Sequence, residues 1–158
     1  MKMNKVLLIL LLLPNLLYSQ KNGLYLEGNV GISRNAIETG IDPTYATMTY
    51  EKSVKPNVSI LIGKIFQMGD YSLVDLQIGL SYPFILTGKI GLGSYYGKND
   101  QFAFILGLRP YPLSGYSQLN IGYKNKTNFI ISTELGTGGQ IFMGTTSLFN
   151  VGLRIPIK

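Results

Sequence analysis

The sequence contains no cysteine, no histidine and no tryptophan. Because cysteine is absent, disulfides cannot stabilise the chain, and its stability must come from a closed hydrogen-bond network or a sizeable core. Because histidine is absent as well, Ser-His and Cys-His nucleophile arrangements and the usual zinc sites are excluded. We therefore predict that the protein is not an enzyme and that it holds no metal or cofactor.

Long apolar runs are confined to the amino terminus. The first twenty residues, "MKMNKVLLILLLLPNLLYSQ", place two lysines before an apolar run from Val6 to Leu13 and reach the small residue Ser19. This order is typical of a cleaved secretory signal peptide, and the run is shorter than the roughly 20 apolar residues of a membrane-spanning helix. The sequence predicts a signal peptide over residues 1–19 and one domain over residues 20–158.

Charged residues are also scarce. They make up 14% of the chain, whereas a soluble domain has about 25%. Without the signal peptide, twelve basic residues stand against eight acidic ones. An excess of this size, dispersed along the chain, argues against a nucleic-acid partner.

Glycine, in contrast, is abundant, with nineteen residues. Each predicted strand contains a glycine that follows an apolar residue and falls on the less apolar side of the strand. These glycines are Gly31, Gly63, Gly79, Gly91, Gly107, Gly122, Gly136 and Gly152. Glycines in these positions permit the bends and close packing of a small, tightly curved barrel.

Apolar and polar residues alternate with period two, which predicts β-strands with two unlike faces. The clearest case is "YSLVDLQIGLSY" at 71–82. The predicted strands cover residues 23–33, 58–67, 71–82, 86–96, 101–109, 118–124, 128–137 and 149–157. In the second strand Lys64 shares the apolar side with Ile60 and Ile62, so we expect a bulge or a lysine that snorkels toward an interface.

The connections differ between the two ends of the predicted sheet. Residues 69–70, 97–100 and 125–127 are short and polar, as in tight hairpins. The other end is expected to carry residues 34–56, a short region around "YPF", and the segments "PYPLSGYS" and "GGQIFMGTT". Short turns at one end, longer loops at the other and an even number of strands are the pattern of an outer-membrane barrel.

Alternation alone does not decide which face points outward, because a soluble lipocalin-like barrel also alternates, with its apolar face inside. The glycine-bearing face would then meet water, yet it is rich in Gly, Ser, Asn and Gln rather than Lys, Glu and Thr. Aromatic residues near the strand ends favour a membrane interface. They are Tyr71, Tyr82, Tyr95, Tyr96, Tyr111, Tyr116, Tyr123 and Phe129. We therefore predict that the apolar face meets lipid.

With these features, residues 20–158 resemble the small eight-stranded outer-membrane barrels, the type formed by the OmpA transmembrane domain and OmpX. The resemblance implies an all-β, eight-stranded antiparallel up-and-down transmembrane β-barrel, surrounded by outer-membrane lipid in a Gram-negative bacterium. One feature departs from the family. Many of its members end on an aromatic residue, whereas this chain ends "RIPIK".

Seven charged residues are predicted to face the lumen of the barrel. They are Glu27, Asp75, Lys89, Arg109, Lys124, Glu134 and Arg154. In one interpretation they form ion pairs that fill the barrel, since lone buried charges are costly and eight strands leave room only for side chains. In the other they line a narrow selective pore, which inward glycines would favour and which Tyr25 and Tyr95 would obstruct.

Residues 34–56 form the longest predicted connection, on the side that would face out of the cell. Function in such scaffolds usually resides in loops, so Tyr45, Met48 and Tyr50 are candidates for contact with a surface protein partner. Alternatively, the segment continues the first two strands as a hairpin above the membrane, which its threonine and tyrosine content favours.

From the sequence we predict a non-enzymatic integral protein of the bacterial outer membrane, with a structural or surface-contact role through its extracellular loops. Three alternatives stay open. They are a small porin-like solute channel, a soluble periplasmic lipocalin-like barrel that binds an apolar ligand, and a membrane-embedded lipid-modifying enzyme that works without histidine.

Overall fold

The structure, a computed structural model, describes residues 23–42, 47–82, 86–110, 113–124, 126–137 and 144–157. The predicted signal peptide, together with Tyr45 and Tyr111, lies outside these residues. The described strands are β1 (Leu24–Asp42), β2 (Thr47–Met68), β3 (Ser72–Tyr82), β4 (Leu86–Tyr96), β5 (Phe102–Arg109), β6 (Ser114–Ile121), β7 (Asn128–Thr137) and β8 (Gly144–Pro156).

The eight strands form a closed antiparallel barrel in which each strand pairs with the next and β8 returns to β1. Closure removes the free sheet edges that would otherwise leave backbone groups without hydrogen bonds. The predicted fold class, an all-β, eight-stranded antiparallel up-and-down barrel, is confirmed. Within the described ranges there is no helix long and apolar enough to cross a membrane.

The two faces of the sheet differ as the alternation predicts, with the apolar side chains outward. On β3, the side chains of Ile78 and Leu80 are 57% and 62% exposed. Asp75 faces the opposite side of the strand and is fully buried. The same parity holds on the other strands, so the lumen receives the polar side chains. A lipocalin-like barrel requires the reverse arrangement, and the structure contradicts that alternative.

Apart from β2, two strands begin well before their predicted starts. β6 starts at Ser114 and ends at Ile121, and β8 starts at Gly144. Residues 114–117 and 144–146, which belonged to segments taken for loops, are therefore strand, and the reason is tertiary. Small polar residues such as Ser114 and Thr146 carry little apolar signal, yet each is buried on the inward face and paired with a neighbouring strand.

Over its described residues, 34–42 and 47–56, the segment 34–56 continues the first two strands as a paired hairpin. β1 and β2 stay paired from Leu24 with Lys64 to Asp42 with Thr47, interrupted by a register shift between Glu38 and Gly40. The alternative of a hairpin extension is confirmed. With strands of 19 and 22 residues, this hairpin is the longest in the described part of the chain.

Lys64 lies on the outward face in an uninterrupted register, opposite Leu24 on β1 and Leu76 on β3. The bulge considered for this strand is not present at that position. The Lys64 ammonium instead lies 5.3 Å from the centre of the Phe66 ring. This arrangement agrees with a lysine that reaches along the barrel toward its nearest end.

The short turns have the predicted chemistry. Asn99 and Asp100 have φ angles of 59° and 55°, and Gly69 has a φ angle of 78°. These values lie in the left-handed region, which asparagine, aspartate and glycine tolerate better than other residues. The hairpins at 69–70 and 97–100 are therefore confirmed as tight turns.

Most of the predicted interfacial aromatic residues are exposed on the outside of the barrel. These are Tyr71, Tyr82, Tyr96, Tyr123 and Phe129. Two others belong to the lumen, since Tyr95 and Tyr116 are 8% and 3% exposed. For Tyr116 the interfacial prediction is wrong, because the early start of β6 places its side chain on the inward face.

Candidate functional site: the charged lumen

Six of the seven charged residues predicted for the lumen are buried inside it, and the structure divides them into two groups. We call Glu27, Asp75 and Arg154 the seam cluster, because it includes the junction of β1 and β8. We call Lys89, Arg109 and Glu134 the second cluster. Lys124 belongs to neither. It follows the end of β6, is about a quarter exposed, and faces Asp100 across 3.6 Å at the mouth of the barrel.

In the seam cluster one guanidinium forms ion pairs with two carboxylates. Arg154 Nη2 lies 2.7 Å from Glu27 Oε2 and 2.8 Å from Asp75 Oδ2, and Arg154 Nε donates to the same Glu27 oxygen at 3.0 Å. The Tyr25 hydroxyl donates to Asp75 Oδ1, and the Tyr25 ring stacks 3.8 Å from the guanidinium carbon. The cluster carries a formal charge of minus one.

Glu27 accepts hydrogen bonds from side chains on strands that are not neighbours in the sheet. Besides Arg154 on β8, Gln77 on β3 and Gln118 on β6 donate to Glu27 Oε2 at 3.4 and 3.3 Å. Asn29 donates to Glu27 Oε1 at 2.8 Å. Because these side chains come from several walls of the barrel, the network crosses the lumen and fills it at this level.

In the second cluster the positive charges outnumber the negative ones. Glu134 Oε1 lies 2.7 Å from Lys89 Nζ and 2.8 Å from Arg109 Nη2, and all three side chains are almost completely buried. Two cations thus share one carboxylate, so the cluster carries a formal charge of plus one. The two clusters together are neutral, which agrees with the interpretation of a filled, ion-paired lumen.

Aromatic and aliphatic side chains fill the lumen beside these charges. Leu73, Tyr95, Ala103, Ile105 and Tyr116 form a buried apolar cluster. Tyr116 also borders the second cluster, since Lys89 Nζ lies 5.0 Å from the centre of its ring. Of these five residues, the sequence analysis named only Tyr95 as facing the lumen, so it missed most of this apolar cluster.

Two tyrosines lie directly over inward glycines, which explains part of the glycine repeat. Tyr25 pairs with Gly63 across β1 and β2, and its ring occupies the space that a β-carbon at Gly63 would need. Tyr116 pairs with Gly107 and restricts both Gly107 and Gly91 in the same way. Glycine on one strand therefore makes room for an aromatic ring on the next.

The lumen presents buried polar side chains, and its six buried charged residues all take part in ion pairs. Among the described residues, no group of three or more histidine, cysteine, aspartate or glutamate side chains could hold a metal ion. Sequence reasoning also left Gln118 and Lys126 unassigned. Gln118 was the first residue of the predicted strand 118–124, whereas β6 begins at Ser114. Lys126 lies in a predicted turn, where no periodicity indicates the direction of a side chain.

The three candidate contact residues are only partly placed by the structure. Tyr45 lies outside the described residues. Met48 and Tyr50 lie in β2, where the backbone pairs them with Ile41 and Glu38. Both belong to the part of the β1–β2 hairpin that extends past the neighbouring strands.

No protein-family model matches the chain, and no curated protein matches it. Among solved structures, it is similar to the crystal structure of Neisserial surface protein A, with a TM-score of 0.50 and 10% identity over 87% of this chain and 100% of that one. A structure from the de novo design of transmembrane β-barrels matches with a TM-score of 0.43, 10% identity and the same coverage. The likeness to the Neisserial protein shows that the chain has the fold of the small transmembrane barrels.

Proposed function

We propose that this protein is a non-enzymatic integral barrel of the bacterial outer membrane, exported by a signal peptide over residues 1–19 that is then removed. The observation that carries the proposal is the outward apolar surface of a closed barrel. Many leucine, isoleucine, valine and phenylalanine side chains on its outer face are 36 to 71% exposed. Soluble monomers rarely expose apolar surface over so wide an area, whereas a bilayer covers it.

The dimensions of the strands support the same placement. A transmembrane strand needs about 9 to 11 residues, and β3, β4 and β7 contain 11, 11 and 10. The exposed tyrosines and Phe129 lie near strand ends, where interfacial aromatic residues are expected. Outer-membrane lipid is then the immediate partner of the outer face.

The lumen supports a structural role over a solute channel. The seam cluster joins β1, β3 and β8 through one guanidinium, and Gln118 adds a contact from β6. Solute passage would require these hydrogen bonds to open. We therefore place the role of the protein in envelope structure and in the surface that it exposes.

The β1–β2 hairpin is the proposed site of surface contact. Pairing of β2 with β3 ends at Val58, so residues 47–57 of β2 extend beyond that neighbour. At about 3.3 Å per residue this part of the strand is about 35 Å long. Met48 and Tyr50 belong to this part of β2, and Tyr45 precedes it in the sequence. Aromatic residues and methionine are enriched in protein interfaces.

Fractionation and gel mobility test the proposal. The protein should stay with the outer membrane unless detergent is added, and detergent-extracted protein should migrate differently in SDS before and after boiling. Recovery in the soluble periplasmic fraction, with identical mobility in both samples, would contradict the membrane placement.

The direction of the hairpin is tested with a reporter cysteine, because the chain has none of its own. Lys52 on β2 and Lys98 in a short turn are both exposed lysines at opposite ends of the barrel. A membrane-impermeant maleimide should label the Lys52→Cys variant on intact cells and the Lys98→Cys variant only after lysis. The opposite order of labelling would place the hairpin in the periplasm.

A further inference from the structure

A cavity of about 380 Å³ opens at the mouth of the barrel where the short turns lie. This volume falls in the range of about 300 to 1,000 Å³ that is usual for small-molecule sites. Its wall includes the apolar residues Ile65, Tyr95 and Pro156 and the basic residues Lys124, Lys126 and Arg154, and none of its described residues is acidic. We call it the mouth cavity.

Arg154 brings a buried hydrogen-bond donor to the mouth cavity. Its side chain is 3% exposed, and its Nε and Nη2 atoms are occupied by Glu27 and Asp75. Its Nη1 atom has no hydrogen-bond partner among the described residues. The Tyr25 ring, 3.8 Å from the guanidinium carbon, holds the plane of the group in place. A fixed cationic edge of this kind suits an oxyanion.

Two lysines add positive charge near the rim. Lys124 Nζ lies 3.6 Å from Asp100 Oδ2, which is long for an ion pair, and 4.9 Å from the centre of the Tyr95 ring. Lys126 Nζ lies 5.4 Å from the centre of the Tyr123 ring and has no ion pair among the described residues.

The acidic groups of this region leave those donors available. Asp100 faces Lys124 from the side of the turn, and Glu27 and Asp75 engage the other nitrogens of Arg154. None of the three carboxylates lines the cavity. The cavity therefore offers cationic donors at its floor and rim beside an apolar wall.

From this geometry we propose that the mouth cavity binds a small organic phosphate, with the phosphate between Arg154 Nη1 and the two lysines. The apolar part of the ligand packs against Ile65 and Tyr95. This site goes beyond the proposed function and does not depend on it, because the cavity belongs to the closed barrel whether or not lipid surrounds it.

The test is a calorimetric titration of the full-chain protein, folded in detergent, with phenyl phosphate. Saturable binding is expected, about tenfold tighter than that of inorganic phosphate or of phenol. Inorganic phosphate lacks the ring that packs against the apolar wall, and phenol lacks the phosphate that the basic side chains bind. Dibutanoyl phosphatidic acid identifies the source of the ligand. Tighter binding of this lipid indicates a phospholipid headgroup, and tighter binding of phenyl phosphate indicates a free organic phosphate.

The double variant Lys124→Gln/Lys126→Gln should weaken phenyl phosphate binding about tenfold or more. Lys98→Gln is the matched control, since Lys98 is exposed in a turn at the same end but does not line the cavity. Unchanged mobility in SDS before boiling would show that each variant is folded. Absence of saturable binding by the parent protein, or equal affinity in the folded double variant, would overturn the proposal.

Discussion

Arg154 on the last strand donates two hydrogen bonds to Glu27 on the first, and the two residues are direct partners in the β1–β8 register. They are 127 positions apart in the chain and meet only where the barrel closes. Both side chains are buried, and the same guanidinium also forms an ion pair with Asp75. Closure of the sheet and the pairing of these charges therefore occur at one place.

Substitution Arg154→Met should strongly destabilise the folded barrel. It leaves Glu27 and Asp75 buried without their cation, and removal of one partner from a buried ion pair costs about 3 to 5 kcal/mol. Urea unfolding of protein inserted in lipid vesicles, followed by gel mobility, measures the change. Lys98→Met is the control and should lie within about 0.5 kcal/mol of the parent.

The neutral triple variant Glu27→Gln/Asp75→Asn/Arg154→Met should recover part of the lost stability, because no uncompensated charge stays buried. An Arg154→Met variant as stable as the parent would show that the seam cluster does not stabilise the barrel.

Substitution Gly63→Ala should destabilise the protein by about 1 to 3 kcal/mol. The added methyl group meets the Tyr25 ring, which cannot move aside easily because Arg154 stacks on it and Asp75 accepts a hydrogen bond from its hydroxyl. Gly28→Ala is the matched control, since Gly28 is exposed on the outer face of β1 with open space around it. The same urea titration compares them, and equal stability of the two variants would contradict a close fit between Tyr25 and Gly63.

Substitution Ile78→Arg tests whether the outer face of β3 meets hydrocarbon. Ile78 is outward and near the middle of β3, and arginine near the bilayer midplane costs about 2 to 4 kcal/mol. Tyr71→Arg in the adjoining turn should cost about 0 to 1 kcal/mol, because interfacial positions tolerate charge. Similar unfolding free energies for both variants in vesicles would argue against the membrane placement.

The parent protein should give no stepwise conductance in a planar bilayer, because the seam cluster and its neighbours cross the lumen. An open porin recorded under the same conditions controls for the sensitivity of the measurement. Reproducible single-channel steps that depend on the protein would instead favour the solute channel.

The mass of the purified envelope protein should correspond to a chain that begins at Gln20. This expectation follows from the small residue at position 19 after an apolar run, which is the usual order at a signal cleavage site. Intact mass spectrometry decides it, and a mass that still includes residues 1–19 would contradict cleavage.

The sequence predicted the number of strands and their two faces because alternation is a local property with a period of two. "YSLVDLQIGLSY" shows this directly, and β3 has the predicted parity along its whole length. Strand ends were harder to predict. Ser114 and Thr146 carry no apolar signal, and only their pairing with neighbouring strands makes them part of the sheet.

By itself, the sequence determined an eight-stranded barrel with an apolar outside, a charged inside and a glycine on the inward side of each predicted strand. The tertiary structure alone decided how those inward residues combine. It paired Arg154 with both Glu27 and Asp75, grouped Lys89 and Arg109 around Glu134, and turned Tyr116 into the lumen. The physical reason is that alternation along a strand determines only which face of the sheet each side chain points to. Which inward residues meet depends on strand register and on closure, and both arise from the whole barrel.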